Sequence, residues 1–168
     1  MIVMKKEGHK NPIPTVDVII QMDSRILLVK RKNEPFREYL AIPGGFVNEG
    51  ETVEDAAKRE VKEETSLDIE LIDILGVYSD PKRDPRGHNM STVFIGKIPT
   101  SRNGKVKAAA AADDALELYW INLEDIPDEK FAFDHRSILE DYMKWKKLGG
   151  TFWSSKNHRD KGLLNVHS

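Results

Sequence analysis

The chain has 168 residues, of which 39% are hydrophobic and 32% charged, with 26 basic and 28 acidic side chains and a formal net charge of −2. That is enough material for one globular domain with a real core, and the near balance of charge excludes bulk attraction to nucleic acid or to an anionic membrane. Cysteine is absent, which excludes disulfides and thiolate metal sites and is consistent with a reducing, cytoplasmic setting.

Residues 1–12 read as a polar lead-in without the apolar core of a signal peptide, and no run of about 18 apolar residues predicts a membrane span. Thr15 to Gln21 is a β-branched strand, Met22 to Ser24 a turn, and Arg25 to Arg31 a second strand, so the pair predicts a hairpin. Residues 32–38 form a charged loop. Tyr39 to Ile42 is a short strand that Pro43-Gly44-Gly45 is expected to break. The clearest helix runs from Val53 to Thr65, with Thr52 as its cap and Asp55 in the capping-box position. Leu67 to Tyr78 is strand-like, with Gly76 as a bulge. Asp80 to His88 is a loop, Met90 to Ile98 a strand, Ser101 to Lys105 a turn, and Ala115 to Ile121 another strand. The alanine run 108–112 has no physical account. Asp134 is expected to cap a final helix reaching about Lys147, with Ile138, Leu139, Tyr142 and Trp145 on its apolar side and Gly149-Gly150 ending it. Residues 13–148 are thus expected to form the domain and 149–168 a tail. Strands around a central helix, with a second helix at the end, predict an α/β fold: a mixed sheet with helices on its faces.

Projected at about 100° per residue, the central helix gathers Val53, Ala56, Ala57, Val61 and Leu67 on one side and sets Asp55, Lys58, Lys62 and Thr65 opposite. Glu60 and Glu64, one turn apart, run through the middle of the apolar side. A glutamate-rich helix is ordinarily a solvated face. Here two carboxylates lie where a core belongs, and an unpaired buried carboxylate is costly. A cation must compensate. Arg59, on the flank, is one candidate, and a hard divalent ion such as Mg²⁺ is the other.

Gly45, Glu51, Arg59, Glu60, Val61, Glu63, Glu64 and Leu67 together resemble the Nudix box, G-x5-E-x7-R-E-U-x-E-E-x-G-U, where U is aliphatic. The departure is Ser66 in place of the last glycine, at the helix end where a left-handed turn is expected. Chance agreement of six fixed polar or glycine positions is on the order of 10⁻⁵, so the match carries weight. Resemblance extends over roughly residues 12–147. The run Ser79-Asp80-Pro81-Lys82-Arg83-Asp84-Pro85-Arg86-Gly87-His88, the Asp113-Asp114-Ala115 and Tyr119-Trp120 segments, and Phe133-Asp134-His135 resemble the ADP-ribose pyrophosphatase subgroup, although alanines stand where that subgroup tends to have glycines before the aspartate pair.

The resemblance implies a Nudix-type α/β/α sandwich with a catalytic loop-helix-loop. It implies Mg²⁺, with Mn²⁺ as substitute, held by Glu60, Glu64 and the Gly45 carbonyl, and by Glu63 directly or through water. Arg59 would brace the carboxylates through Glu51. The general base stays open among Glu63, Glu64, Asp113, Asp114 and Glu117. Arg83 and Arg86 are candidates to clamp phosphates or the terminal ribose, against a plain reading as surface charge; Asp114 is a further candidate substrate contact, and Phe46 and Tyr39 are candidates to stack on a base. Arg31, Lys32 and Arg37 read as solvated, with one of them an alternative candidate to face the substrate, and Trp120 and Trp145 read as core. The five histidines are scattered without ligand-like pairing, with His88 the one of interest. The implied activity is hydrolysis of ADP-ribose to AMP and ribose 5-phosphate by a cytoplasmic homodimer with a small-molecule nucleotide substrate. Alternatives are hydrolysis of damaged nucleoside triphosphates or dinucleoside polyphosphates, and an ADP-ribose-sensing regulatory domain without catalysis.

Overall fold

The computed structural model describes Gly8, residues 10–99 and residues 117–153. In chain order the elements are strands β1 (Ile13–Met22), β2 (Arg25–Lys30), β3 (Leu40–Ala41) and β4 (Gly44–Phe46), helix α1 (Val53–Thr65), strands β5 (Glu70–Tyr78), β6 (Asn89–Lys97) and β7 (Glu117–Asn122), a 3-10 turn at Leu123–Asp128, helix α2 (His135–Leu148) and strand β8 (Phe152–Trp153). The eight strands form one mixed sheet in the order β3-β2-β1-β6-β5-β8, with β4 also on β1 and β7 also on β2.

β1 organises the molecule. Its β-branched run is buried on both faces, and the two-residue period of a strand splits it. Val16, Val18 and Ile20 pack with Ala56, Ala57 and Val61 of α1. Ile19 packs with Ile138, Leu139 and Tyr142 of α2. The parallel neighbour β6 divides the same way, Phe94 toward α1 and Val93 and Ile95 toward α2. The two helices therefore cover opposite faces, which is the expected α/β/α sandwich.

Helix α1 has the predicted bounds. Thr52 accepts from the Asp55 amide at 3.1 Å, and Ser66 ends the helix in the left-handed region at φ 59°. The helical projection misplaced Thr65. It is fully buried, because its hydroxyl donates to the Val61 carbonyl at 2.6 Å and accepts from the Leu67 amide at 3.2 Å, which removes its polar cost. The β1–β2 hairpin forms, and the Gly76 bulge appears as a register shift between Ile74 and Gly76. A Cβ on Gly76 would stand 1.9 Å from the Phe152 carbonyl oxygen, so glycine lets β8 approach β5.

The strand ending at Ala41 is broken before Gly44, as expected, and Gly44–Phe46 starts a new strand, β4, paired with Thr15 to Asp17 of β1. Three expectations need correction. Asp134 makes no side-chain cap on α2, because its carboxylate is held by Arg83. The segment after Gly150 is not all tail, since Phe152 and Trp153 pair with Gly76 and Val77. Trp120 and Trp145 pack against the cores from part-buried positions at their edges. The turn at 101–105 and the alanine run at 108–112 lie outside the described residues. No helix among the described residues is long and apolar enough to cross a membrane.

Candidate active site

Arg59 ties the loop after β4 to α1. Its Nε and Nη2 donate to the two Glu51 oxygens at 2.7 and 2.9 Å, Nη2 also donates to the Phe46 carbonyl at 2.9 Å, and Nη1 donates to Glu60 at 2.7 Å and Glu63 at 3.2 Å. Glu51 accepts in addition from the Asn48 amide at 3.0 Å. The Arg59 hydrogen bond, helped by that amide, holds the Glu51 carboxyl down at about 2. One planar guanidinium thereby serves three carboxylates and a carbonyl, a task for which its fork of donors is suited.

The two acids on the inward line of α1 differ. Glu60 is part-buried, and burial raises its pKa while Arg59 opposes the rise. Glu64 accepts from the Gly44 amide at 3.0 Å, and burial pushes its carboxyl up to about 8 against that hydrogen bond, with the Glu60 and Asp17 charges adding to the rise. A Cβ on Gly45 would lie 2.4 Å from the Glu60 carboxyl carbon, so the backbone there reaches the carboxylate only because the residue is glycine. Glu63 lies on the exposed flank, 59% accessible, turned to Arg59.

A hard cation fits this seat. Among the described residues no three carboxylate or imidazole side chains close on one point. The donors on hand are Glu60, Glu64 and the Gly45 backbone, all oxygen. Mg²⁺ accepts a small protein share because it keeps several waters. Two neighbouring carboxylates, of which Arg59 pairs with Glu60 but not Glu64, also leave negative charge that a divalent ion would neutralise.

Beside Glu64 opens a cavity of about 300 Å³. Gly44, Gly45 and Glu64 form one wall; Arg31, Lys32, Arg83, Arg86, Phe46 and Phe133 contribute to the others. Its floor is a buried polar network. Asp17 accepts from the Ser91 hydroxyl at 2.5 Å and stands 3.5 Å from His135 Nε2 and 3.8 Å from Arg83. Arg83 donates twice to Asp134, at 3.0 and 2.8 Å. His135 Nδ1 accepts from the Ile42 amide at 2.9 Å, which places the ring proton on Nε2, toward Asp17. Burial lowers the His135 pKa against the opposing pull of the Asp17 and Asp134 charges. Arg86 pairs with Asp84 at 2.7 Å, and Asp84 also accepts from Asn89 at 2.6 Å.

The NUDIX domain profile matches residues 11–142. The chain belongs to the NUDIX domain family. It is 52% identical over 150 residues to the ADP-ribose pyrophosphatase of Methanocaldococcus jannaschii, covering 86% of this chain and 84% of that one. Its fold is similar to the NUDIX domain of Shewanella oneidensis NrtR in complex with ADP-ribose, with TM-score 0.65 and 26% identity, covering 83% of this chain and 91% of that one. It is also similar to a bifunctional NMN adenylyltransferase/ADP-ribose pyrophosphatase of Francisella tularensis in complex with AMP and a manganese ion, with TM-score 0.68 and 30% identity, covering 83% of this chain but only 43% of that one.

Within this Nudix fold the structure gathers Glu51, Glu60 and the exposed Glu63 on Arg59, sets Gly45 against Glu60 and Glu64 against Gly44, and places Phe46, Arg83 and Arg86 on the cavity. Asp113 and Asp114 lie outside the described residues. Glu117 does not line the cavity; it is exposed, beside Lys30 at 3.7 Å and Tyr119. Tyr39 is also off it, packed on Phe36. Arg31 and Lys32, read as solvated, line it. His88 is exposed and engages the Ser79 carbonyl. Two residues escaped the sequence reading. Asp17 had a signal, an acid in the middle of a β-branched strand. His135 had none beyond its place in a subgroup-like segment, because its partners Asp17 and Ile42 are far away in the chain.

Proposed function

We propose that this Nudix hydrolase splits ADP-ribose, with water, into AMP and ribose 5-phosphate, using Mg²⁺. The observation that carries the reading is the junction of the Glu60–Glu64–Gly45 oxygen seat with a cavity walled by guanidiniums, a pairing suited to a diphosphate. The Methanocaldococcus jannaschii relative and the ADP-ribose and AMP complexes of similar folds support the choice of substrate.

When bound, Mg²⁺ would neutralise diphosphate charge and polarise the phosphorus–oxygen bonds. Glu60, Glu64 and the Gly45 carbonyl would hold it, with Glu63 reaching it through water. Arg59 keeps Glu51 and Glu60 in place and so fixes the β4–α1 loop against the helix. Water supplies an oxygen to one phosphorus, the bridging phosphorus–oxygen bond breaks, and the departing phosphate takes the electron pair. Arg86, lining the cavity with its guanidinium part-exposed, contacts phosphate or the terminal ribose. Arg83, consumed by Asp134, acts by holding the floor.

Incubation with Mg²⁺ and a substrate panel tests the reading. AMP from ADP-ribose is the expected product; pyrophosphate released from a nucleoside triphosphate, with ADP-ribose untouched, would overturn it. Replacing Mg²⁺ by Mn²⁺ should retain activity, and chelation should abolish it. A cytoplasmic homodimer belongs to the same proposal. The lack of cysteine supports the compartment, and the exposed Ile72, Ile74 and Val77 of β5 support a self-contact; light scattering at twice the 19.1 kDa chain mass is the expected result.

A further inference from the structure

Four arginines surround the site, and three are already engaged by carboxylates: Arg59 by Glu51, Glu60 and Glu63, Arg83 by Asp134, and Arg86 by Asp84. Arg31 differs. Its Nε donates to the Pro35 carbonyl at 2.9 Å, and among the described residues it makes no ion pair. It is nonetheless part-buried and lines the cavity.

What holds Arg31 there is an aromatic ring. Its guanidinium carbon lies 4.8 Å from the centroid of Phe133, and that of Arg86 lies 5.3 Å from the same centroid. Phe36 meets the Phe133 ring edge-on at 5.0 Å, and His135 borders it at 5.4 Å. The backbone at Phe133 is left-handed, φ 55°, a conformation that costs free energy for a bulky residue and persists where surrounding contacts hold it. Two like charges gathered on one ring also repel, and the Arg86 charge is one of the reasons that the Arg31 pKa is lowered, after burial. The repulsion between the two guanidiniums is relieved by an anion bound between them, while the contacts around Phe133 hold its backbone.

We propose that Phe133 is a positioning residue for phosphate: its ring holds the Arg31 and Arg86 guanidiniums together on the cavity wall, and Arg31, unspent on any carboxylate, grips the diphosphate of the substrate. The proposal rests on the reading that this site takes a diphosphate-bearing nucleotide. It gives Phe133 no base-stacking role. The ring's faces serve the cations, and its effect on the ligand passes through them.

Calorimetry on the full chain with ADP, ADP-ribose and adenosine tests it. Phe133→Leu should weaken ADP and ADP-ribose alike by about tenfold or more, the scale of one charge-assisted hydrogen bond, and leave adenosine unchanged. Arg31→Gln should do the same, and the double variant should lose less than the sum of the two single losses, because Phe133 acts in part through Arg31. Phe133→Tyr should restore affinity. In steady state, Phe133→Leu should raise KM more than it lowers kcat. Equal loss of adenosine and ADP binding would mean that the ring stacks on the base and would overturn the proposal. So would additive effects of the two substitutions, or an Arg31→Gln variant with wild-type affinity for ADP, a measurement that does not depend on the Phe133 variants folding. Absence of AMP production by the wild-type chain would instead overturn the substrate reading, while ADP binding would still report on the grip.

Discussion

The Glu64 carboxylate and the Gly44 amide meet at 3.0 Å, and this hydrogen bond joins the last turn of α1 to the strand that lines the cavity. Glutamine at position 64 keeps an acceptor for that amide and nearly the same volume, but loses the charge. Glu64→Gln is therefore expected to fold normally and to lower kcat by roughly 10²-fold or more, since the charge stabilisation contributed through a metal seat amounts to several kcal/mol. A stopped assay of AMP release, with thermal melts alongside, measures both halves. Turnover close to wild type would remove Glu64 from the seat.

Gly45 can be tested by adding a single methyl group. Its backbone is not in the left-handed region, so alanine is conformationally allowed, but the new Cβ would fall 2.4 Å from the Glu60 carboxyl carbon. Gly45→Ala should displace Glu60, cost about 1–3 kcal/mol by overpacking and suppress turnover. Gly87→Ala is the matched control, because nothing lies within 4 Å of the added atom. Its denaturation midpoint should stay at the wild-type value. If the two variants behave alike, the close approach is not what requires glycine.

Ser66 occupies a left-handed cap at φ 59°, where the resemblance leads one to expect glycine. An L-residue pays for that conformation and glycine does not, so Ser66→Gly should stabilise the protein by about 0.5–1 kcal/mol. For a domain of this size the expected rise in Tm is about 1–4 °C. No rise, or a fall, would show that the serine is compensated elsewhere.

Local patterns foretold local structure. The bounds of α1 were readable because Thr52 marks the cap and Ala56, Ala57 and Val61 keep the helical period, and the Gly76 bulge because glycine interrupts a strand. The acid pair of the seat was legible for the same reason, since Glu60 and Glu64 violate the apolar face that they share. The cavity floor was not legible. Arg83 and Asp134 are 51 positions apart, His135 and Ile42 are 93 apart, and Ser91 and Asp17 are 74 apart. Only the sheet order, which puts β6 parallel to β1, and the seating of residues 131–135 against β3 bring them together. Arg31 was only half legible on the same ground: a charged residue at a strand end reads first as solvated and second as a substrate contact, and only the Phe133 ring beside it decides between the two.

Arg83 and Arg86, two arginines of one loop, should fail differently. The Arg83 side chain is 6% exposed and doubly bonded to Asp134, so Arg83→Ala strands a buried carboxylate and should cost about 3–5 kcal/mol of stability. Arg86 is 44% exposed, and Arg86→Ala should change stability far less while raising KM for ADP-ribose more than for a smaller diphosphate. Denaturant titration and steady-state kinetics on both variants separate the roles. Equal stability losses, or an Arg86 effect that is the same for both substrates, would mean that the loop works as one structural unit.

Tyr142 supplies a pH test of the α2 packing, remote from the acid seat. Its ring stacks on Trp145 at 5.9 Å, its hydroxyl donates to Gln21 at 2.6 Å, and burial pushes its pKa up to about 12 from an ordinary 10. The folded state thus holds the proton more tightly than the unfolded chain. This contribution to stability is fully present below pH 10 and is lost as the pH rises toward 12. Two pH units would be worth nearly 3 kcal/mol for a group sealed from water, and about 1–2 kcal/mol with solvent screening. Tyr142→Phe keeps the ring and removes the proton. At pH 8 it should cost about 1 kcal/mol for the lost hydrogen bond. Between pH 10 and 12 its unfolding free energy should fall less steeply than that of wild type, so that the two curves converge. Parallel curves across that range would mean that the hydroxyl meets solvent and that α2 packs less closely on Gln21 than the structure shows.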